Sequence, residues 1–198
     1  MNFNGFGTGI AALAMLLATA PAARANLVVN GGFEAGSFAG WNTVPEPEDS
    51  LFFVSGHPHA GHYAAWFGQV GPIDETIAQT FATNPGATYG VDFWLAHSVT
   101  DFHNDFSVLW NGAPVISLVN ASAFGYTHYS FSATAPGTSS TLMFAGREVL
   151  DYFFLDDVSV VRSSGDPVPT APVPEPVTLL LLGTGLSAVA RARRRRSL

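Results

Sequence analysis

The chain of 198 residues contains no cysteine, and this absence excludes several kinds of chemistry. No disulfide, thiolate metal site or cysteine nucleophile can form. Lysine is absent as well, so arginine supplies all eight of the basic residues. Exported small domains often depend on disulfides, but a domain of about 137 residues can bury enough apolar surface without them.

Positive charge is scarce in the body of the chain because the arginines are concentrated at its two ends. Arg24 lies near the start and five arginines lie within 191–196, which leaves only Arg147 and Arg162 between them. All fifteen acidic residues precede the C-terminal cluster, so two arginines oppose fifteen acids, a net charge of about −13. This charge repels phosphates. It argues against nucleic acid and anionic membrane partners and favours cations or neutral glycans.

Residues 1–25 have the pattern of a secretory signal peptide. An apolar run at 10–18 is followed by Pro21 and the small-residue site Ala-Arg-Ala at 23–25, which predicts cleavage before Asn26. The first nine residues contain no lysine or arginine, a departure from the usual positively charged start. The apolar run is too short to span a bilayer, so export is the prediction.

Residues 26–162 are predicted to form one all-β domain. Short runs rich in Val, Phe, Tyr, Trp and Thr are separated by turn signals such as Asn111-Gly112. Sustained helical periodicity is absent from this part of the sequence. About nine or ten strands at this spacing indicate a β-sandwich, of the jelly-roll type. The runs are 27–30, 51–54, 62–68, 76–82, 87–98, 105–110, 114–119, 126–134, 140–146 and 152–161.

Three features follow one another at the C-terminus, after a predicted stiff linker rich in Ser, Gly, Asp and Pro at 163–172. An apolar run at 177–190 makes a helix of about 21 Å at ~1.5 Å per residue, which is marginal for a bilayer. The arginines behind it resist crossing and are predicted to stay in the cytoplasm. The residues at the two ends of this segment are Val173, Pro174, Glu175 and Pro176, and then Arg193, Arg194, Arg195 and Arg196.

In their order and terminal position, the three features of residues 173–198 resemble the PEP-CTERM sorting signal of Gram-negative bacteria. The resemblance implies processing by the membrane protease exosortase, after transient anchoring in the inner membrane by a transmembrane helix with the N-terminal side outside. It also implies a mature protein at the cell surface or in the extracellular matrix, among bacteria that secrete exopolysaccharide and build biofilms. An ordinary tail anchor that is never processed is the alternative.

Four stretches of the domain resemble galactose-binding-like sandwiches, the fold of family 4, 9 and 22 carbohydrate-binding modules. Residues 26–41 resemble the first strand, 79–95 and 105–115 the central strands, and 152–161 the last strand. The resemblance implies a jelly-roll β-sandwich and association with carbohydrate. It also implies one structural calcium ion where the first and last strands meet.

Two motifs match the segments that hold this calcium in the resembled family: Gly32-Phe33-Glu34 and Leu155-Asp156-Asp157. A carboxylate from each segment suits a hard cation that takes six to eight oxygen ligands, so Glu34 and Asp156 are the expected ligands. Asp157 is the second choice, because a regular strand would turn it to the opposite face. Oxygens from loop 56–61 could complete the site. The alternative is that these acids only end strands in solvent.

Strand alternation predicts which aromatic side chains share a face. It places Asp92 with Trp94 in one strand and Tyr126 with His128 in another, and Trp66 comes from a third. Aromatic rings stack on the apolar faces of sugars while neighbouring polar groups bind hydroxyls, so these five residues form a predicted glycan platform. The alternative is that the tryptophans are ordinary core residues.

Signs of catalysis are weak in this sequence. It lacks the GxSxG, P-loop and HExxH motifs. His57, His59 and His62 lie in a Gly/Pro loop that we expect to be solvated. Asp101, Asp105 and the acids at 148–151 are the candidates for paired hydrolytic carboxylates. We therefore predict an exported carbohydrate-binding protein that is not an enzyme; a purely structural or adhesive matrix protein and an unrecognised hydrolase are the alternatives.

Overall fold

The structure, a computed structural model, describes residues 24–44, 51–68, 71–100 and 103–163. The predicted sorting signal, nearly all of the predicted linker and all but two residues of the predicted signal peptide lie outside them. The described part of the chain contains no helix that could cross a membrane. It contains the strands β1 (Asn42–Val44), β2 (Phe53–Ser55), β3 (Ala64–Phe67), β4 (Glu75–Ala82), β5 (Thr88–His97), β6 (Asn104–Trp110), β7 (Ala113–Val119), β8 (Phe124–Thr134), β9 (Ser139–Glu148) and β10 (Phe153–Arg162).

The strands form two five-stranded sheets. The first sheet has the order β1-β4-β9-β6-β7 and the second sheet has the order β2-β3-β10-β5-β8. Every strand pairing in both sheets is antiparallel. This arrangement confirms the predicted all-β jelly-roll sandwich. It also leaves each sheet with one outward face, and these faces are the surfaces available for a ligand.

The core lies between the sheets and is built by alternation along the strands. In β5, Val91, Phe93 and Leu95 are fully buried while Asp92 and Trp94 between them are partly exposed. The alternation is a local property of pleated strands, so the sequence predicted these faces correctly. The core is unusually rich in aromatic rings, which pack edge-on or stacked on one another. Its largest fully buried side chains include Phe33, Phe67, Phe93, Phe106, Phe144 and Phe153.

Residues 27–30 were predicted to form a strand, but this segment is not part of either sheet. Its backbone bonds to side chains and, at Leu27 alone, to the backbone of a neighbouring strand. The amide of Val28 donates to Asn26 Oδ1 at 3.0 Å, and the amide of Val29 donates to Gln79 Oε1 at 2.7 Å. Polar side chains therefore replace the regular ladder, and the segment lies along β10 with its Leu27 amide bonded to the Val160 carbonyl.

Gly31 packs directly against the backbone of β10, so its replacement by alanine is expected to destabilise the fold. A Cβ at this position would lie 2.0 Å from the carbonyl oxygen of Val158, an atom that cannot rotate away. The Gly31 carbonyl also accepts a hydrogen bond from the Val158 amide at 2.9 Å. We expect Gly31→Ala to lower the free energy of unfolding of the full-length chain by about 1–3 kcal/mol in urea denaturation.

Gly137→Ala is the matched control for this prediction. A Cβ at Gly137 would meet no heavy atom within 4 Å, so this variant should unfold at the same urea concentration as the natural chain. If Gly31→Ala and Gly137→Ala unfold at equal urea midpoints, the backbone contact at Gly31 is looser than the structure indicates.

Candidate functional site

The outward face of the second sheet carries all five residues of the predicted glycan platform. Cross-strand partners share a face, and Trp94 pairs with Asp156 on one side and with His128 on the other. Trp66 pairs with Phe154, which extends the same surface towards β2. We call this surface the aromatic face. Its predicted members are Trp66, Asp92, Trp94, Tyr126 and His128.

The four tryptophans divide between the core and the aromatic face. Trp41 and Trp110 are buried, with 7% and 6% of their surface exposed. Trp66 and Trp94 remain partly exposed. At the far end of the face, His128 Nε2 lies 3.0 Å from Asp92 Oδ1, and both side chains are 46% exposed. The face therefore combines aromatic rings with polar groups that solvent can reach.

The loop between β2 and β3, residues 56–63, lies over the middle of the aromatic face. The indole Nε1 of Trp66 donates to the Gly56 carbonyl at 2.7 Å. The hydroxyl of Tyr126 donates to the His57 carbonyl, also at 2.7 Å. The His59 ring stacks on Trp94 with a centroid distance of 3.8 Å and an interplanar angle of 11°. We call this segment the β2–β3 loop.

All three histidines of this loop are exposed, as expected, but the rings of two of them also pack against the second sheet. The His57 ring packs 4.5 Å from the Phe154 ring, and His59 lies between Trp94 and Asp157, with its Nδ1 2.7 Å from Asp157 Oδ2. His62 is the exception, because its side chain is 84% exposed. Alternation could not have revealed these contacts, since they depend on how the loop folds over the sheet.

Glu34 and Asp156 hold the β2–β3 loop by accepting hydrogen bonds from its backbone amides. Glu34 Oε1 accepts from the amides of His62 at 2.8 Å and Tyr63 at 3.1 Å, and these bonds lower the pKa of Glu34. Asp156 Oδ2 accepts from the amides of His59 at 2.8 Å and Ala60 at 3.1 Å. Asp156 is fully buried, and this burial raises its pKa to about 6.

Asp157 approaches the same loop as Asp156, although a regular strand would separate them. The register of β10 against β5 shifts between Asp156 and Ser159, and Asp157 takes a left-handed backbone with φ of 50°. A β-bulge of this kind redirects the side chains next to it. Both acids can therefore contact His59, Asp156 through the amide and Asp157 through the ring.

The three predicted calcium ligands converge on Gly32. A Cβ at Gly32 would lie 3.6 Å from Asp157 Oδ1, 3.8 Å from Asp156 Oδ1 and 3.9 Å from Glu34 Cγ. The absence of a side chain at Gly32 thus leaves a small space faced by the carboxylates of Asp156 and Asp157 and bordered by the Glu34 side chain, a chemistry that fits a hard cation. Within the described residues, no three acidic or histidine side chains are already spaced as metal ligands. Cation binding would require the carboxylates to close in.

A cavity of about 420 Å³ opens beside the β2–β3 loop on the aromatic face. Its lining combines aromatic rings from β8 and β10 with polar groups from the loop and the end of β5. Of the predicted platform residues, Tyr126 contributes to it. The main lining residues are His57, Ala96, Ser98, Phe124, Tyr126 and Phe154. Tyr126 belongs to the predicted platform and His57 to the histidine-containing loop, whereas the other four are not among the predicted site residues.

The candidate hydrolytic acids that the structure describes do not face one another across this cavity. Asp105 lies on the first sheet, where Arg147 Nε donates to it at 3.0 Å. Burial and the Asp105 carboxylate raise the pKa of the neighbouring Asp74 to about 6. Glu148 is fully buried between the sheets and is hydrogen-bonded to Nε2 of His97, which also lines the cavity. Asp101 lies outside the described residues.

The sandwich resembles solved structures of carbohydrate-binding modules. TmCBM61, determined in complex with β-1,4-galactotriose, has a TM-score of 0.57 at 18% identity, and the match covers 70% of this chain and 99% of that chain. The CBM22-1–GH10 part of xylanase 10B from Clostridium thermocellum, complexed with xylohexaose, has a TM-score of 0.53 at 18% identity. That match covers 72% of this chain but only 30% of the xylanase chain.

An adhesin domain has the same fold. The K3 cleaved adhesin domain of Lys-gingipain from Porphyromonas gingivalis has a TM-score of 0.53 at 14% identity, covering 70% of this chain and 99% of that domain. No protein-family model matches the sequence, and no curated protein matches it significantly. At these identities the similarity establishes the fold, a β-sandwich of the kind found in carbohydrate-binding modules, and leaves the ligand open.

Proposed function

We propose that this protein is an exported, non-enzymatic carbohydrate-binding protein whose sandwich binds a neutral polysaccharide on the aromatic face. The main support is the aromatic face itself, where Trp66, Trp94 and Tyr126 lie partly exposed and Tyr126 lines a cavity of about 420 Å³. Packing in the hydrophobic core explains the positions of Trp41 and Trp110, but it does not explain why these three rings are partly exposed. Polar groups beside the rings, such as Asp92 and His128, supply partners for sugar hydroxyls.

Export and sorting form the second part of the proposal. The signal-peptide pattern at 1–25 and the three ordered features at 173–198 support secretion, transient anchoring in the inner membrane and processing by exosortase. The mature protein would then lie at the cell surface or in the extracellular matrix, where a polysaccharide ligand is available. Non-specific attraction to nucleic acid is disfavoured by the net negative charge.

One structural calcium ion is the third part of the proposal. Asp156 and Asp157 would hold it beside Gly32 through Oδ1 atoms that already face this space, and the Glu34 carboxylate, which is bonded to the β2–β3 loop, would have to turn towards it. The ion would link the first segment of the domain to β10 and, through the amides that Glu34 and Asp156 bind, would steady the β2–β3 loop. Its role would be to stabilise the fold rather than to supply chemistry.

We expect Tyr126→Ala to weaken polysaccharide binding about tenfold, because aromatic side chains at the centre of a binding surface carry much of the affinity. The test is isothermal titration calorimetry of the full-length chain with a panel of neutral polysaccharides. The panel includes β-1,4-galactan, xylan and the exopolysaccharide of the bacterium that produces the protein. Val119→Ala is the control, since Val119 is 66% exposed on the first sheet, away from the aromatic face.

Two results would contradict this prediction in different ways. If no polysaccharide binds, the structural or adhesive matrix protein becomes the better description. If a polysaccharide binds but Tyr126→Ala and Val119→Ala have equal affinity, the binding surface lies elsewhere on the sandwich. Thermal midpoints of both variants show whether either change has affected folding.

A further inference from the structure

The β2–β3 loop divides the aromatic face, and this division limits how a polymer can lie on it. The loop contacts four of the five strands of the second sheet: β3 through Trp66, β10 through Asp156, β5 through Trp94 and β8 through Tyr126. A polysaccharide that ran across the middle of the sheet would have to displace the His59 ring from Trp94. An open groove across the whole sheet is therefore absent from the described surface.

The β2–β3 loop is held by a set of interactions that differs from those of a free surface loop. Four of its backbone amides donate to Asp156 and Glu34, and two of its carbonyls accept from Trp66 and Tyr126. Charge-assisted hydrogen bonds to carboxylates are stronger than neutral ones, and Asp156 is buried. These hydrogen bonds thus hold the loop in place, so that it forms a wall of the binding site.

The cavity lies on one side of this wall. His57 from the loop and Tyr126 from β8 flank it, and Ala96 and Phe154 from adjacent strands are buried beneath it. Its volume of about 420 Å³ is near the lower end of the ~300–1,000 Å³ range for pockets that enclose small ligands. This space suits one or two sugar units, and a chain that continued past them would meet the wall.

The charge around the cavity indicates which sugars it would accept. Burial, together with the carboxylates of Asp156 and Asp157 acting through space, raises the pKa of the Tyr126 hydroxyl. The net charge of about −13 between the ends of the chain, which one bound calcium ion would change by only two, would repel the carboxylate of a uronic acid. Phe124, Tyr126 and Phe154 offer apolar surfaces to a sugar ring, while His57 and Ser98 offer polar atoms to its hydroxyls.

From this geometry we infer that the cavity binds the terminal unit of a neutral glycan, with the β2–β3 loop as the wall that excludes internal units. The inference rests on the proposed function and adds the part of the polymer that is recognised. Because the loop closes one side of the cavity, a polysaccharide chain can enter the cavity only with one of its ends. Mid-chain binding would need the groove that the loop closes.

The test compares neutral trisaccharides and hexasaccharides of the galactan, xylan and glucan types with their long polymers, titrated against the full-length chain. Each oligosaccharide is used unmodified, with its reducing end reduced, and with its non-reducing end chemically capped. End recognition predicts affinities per molecule that agree within about twofold at all lengths, and a loss of about tenfold on modifying one of the two ends. Recognition in a groove predicts affinity that rises with length and survives both modifications.

A variant that narrows the cavity provides a second readout. Gly125 lies at the cavity, and a Cβ there would meet no heavy atom within 4 Å, so Gly125→Leu should fold and should weaken oligosaccharide binding about tenfold. Gly137→Leu is the matched control outside the cavity, with equal space for a side chain. Binding that increases with length, or that Gly125→Leu leaves unchanged, overturns the inference and leaves carbohydrate binding standing. Absence of binding by every probe overturns both.

Discussion

A chain that carries Pro174→Ala, Glu175→Ala and Pro176→Ala is expected to keep its arginine-rich tail and to remain in the inner membrane. The physical reason is that the apolar run at 177–190 and the arginines behind it can hold the chain in the bilayer without any protease. In the proposed sorting scheme only release depends on the motif, so the expected effect is the complete loss of processing. Mass spectrometry of membrane and secreted fractions from a host that encodes an exosortase measures it.

The chain supplies its own control for this experiment. The tetrapeptide Val-Pro-Glu-Pro occurs twice, at 44–47 and at 173–176, and only the second copy precedes an apolar run and an arginine cluster. The same three substitutions at Pro45, Glu46 and Pro47 should leave processing intact. If the substitutions at 174–176 also leave it intact, or if the natural chain keeps its tail in such a host, the segment is an ordinary tail anchor.

Calcium is expected to stabilise the full-length chain, and Asp156→Asn is expected to abolish this effect. A ligand at 100 times its dissociation constant adds about 2.7 kcal/mol to the free energy of unfolding, which raises the melting temperature by several degrees. Asparagine keeps the size of the side chain but removes the charge that a hard cation needs. It also weakens the acceptor for the amides of His59 and Ala60, so the loss with calcium present should reach about 4 kcal/mol.

Thermal melts in EDTA, in excess calcium and in excess magnesium test this prediction. Asp74→Asn is the matched control, because Asp74 is also an acid with a pKa raised by burial but lies beside Arg147, away from Gly32. Its calcium shift should equal that of the natural chain. A melting temperature that is the same in EDTA and calcium, or a calcium shift that survives Asp156→Asn, would remove calcium from the proposal.

The site illustrates which features a sequence can and cannot reveal. Trp94 and Asp92 were placed on one face correctly because side-chain direction in a pleated strand depends only on position along the chain. The bulge at Asp157 was not foreseen, because it arises from a shift in register against β5, a strand about sixty residues earlier. The contact of His59 with Trp94 was missed for a related reason. It requires the β2–β3 loop to fold back over strands that follow it in the chain.

Composition and local pattern by themselves determined that this protein has no cysteine chemistry and no lysine, and that it is strongly acidic between its ends. They also predicted the all-β sandwich and the faces of its strands, because turn residues and alternation act over a few neighbours. Only the tertiary structure brought Glu34 and Asp156 to the same loop and closed the middle of the aromatic face. The contacts involved join residues up to 98 positions apart, and packing between such distant segments leaves no periodic signal in the sequence.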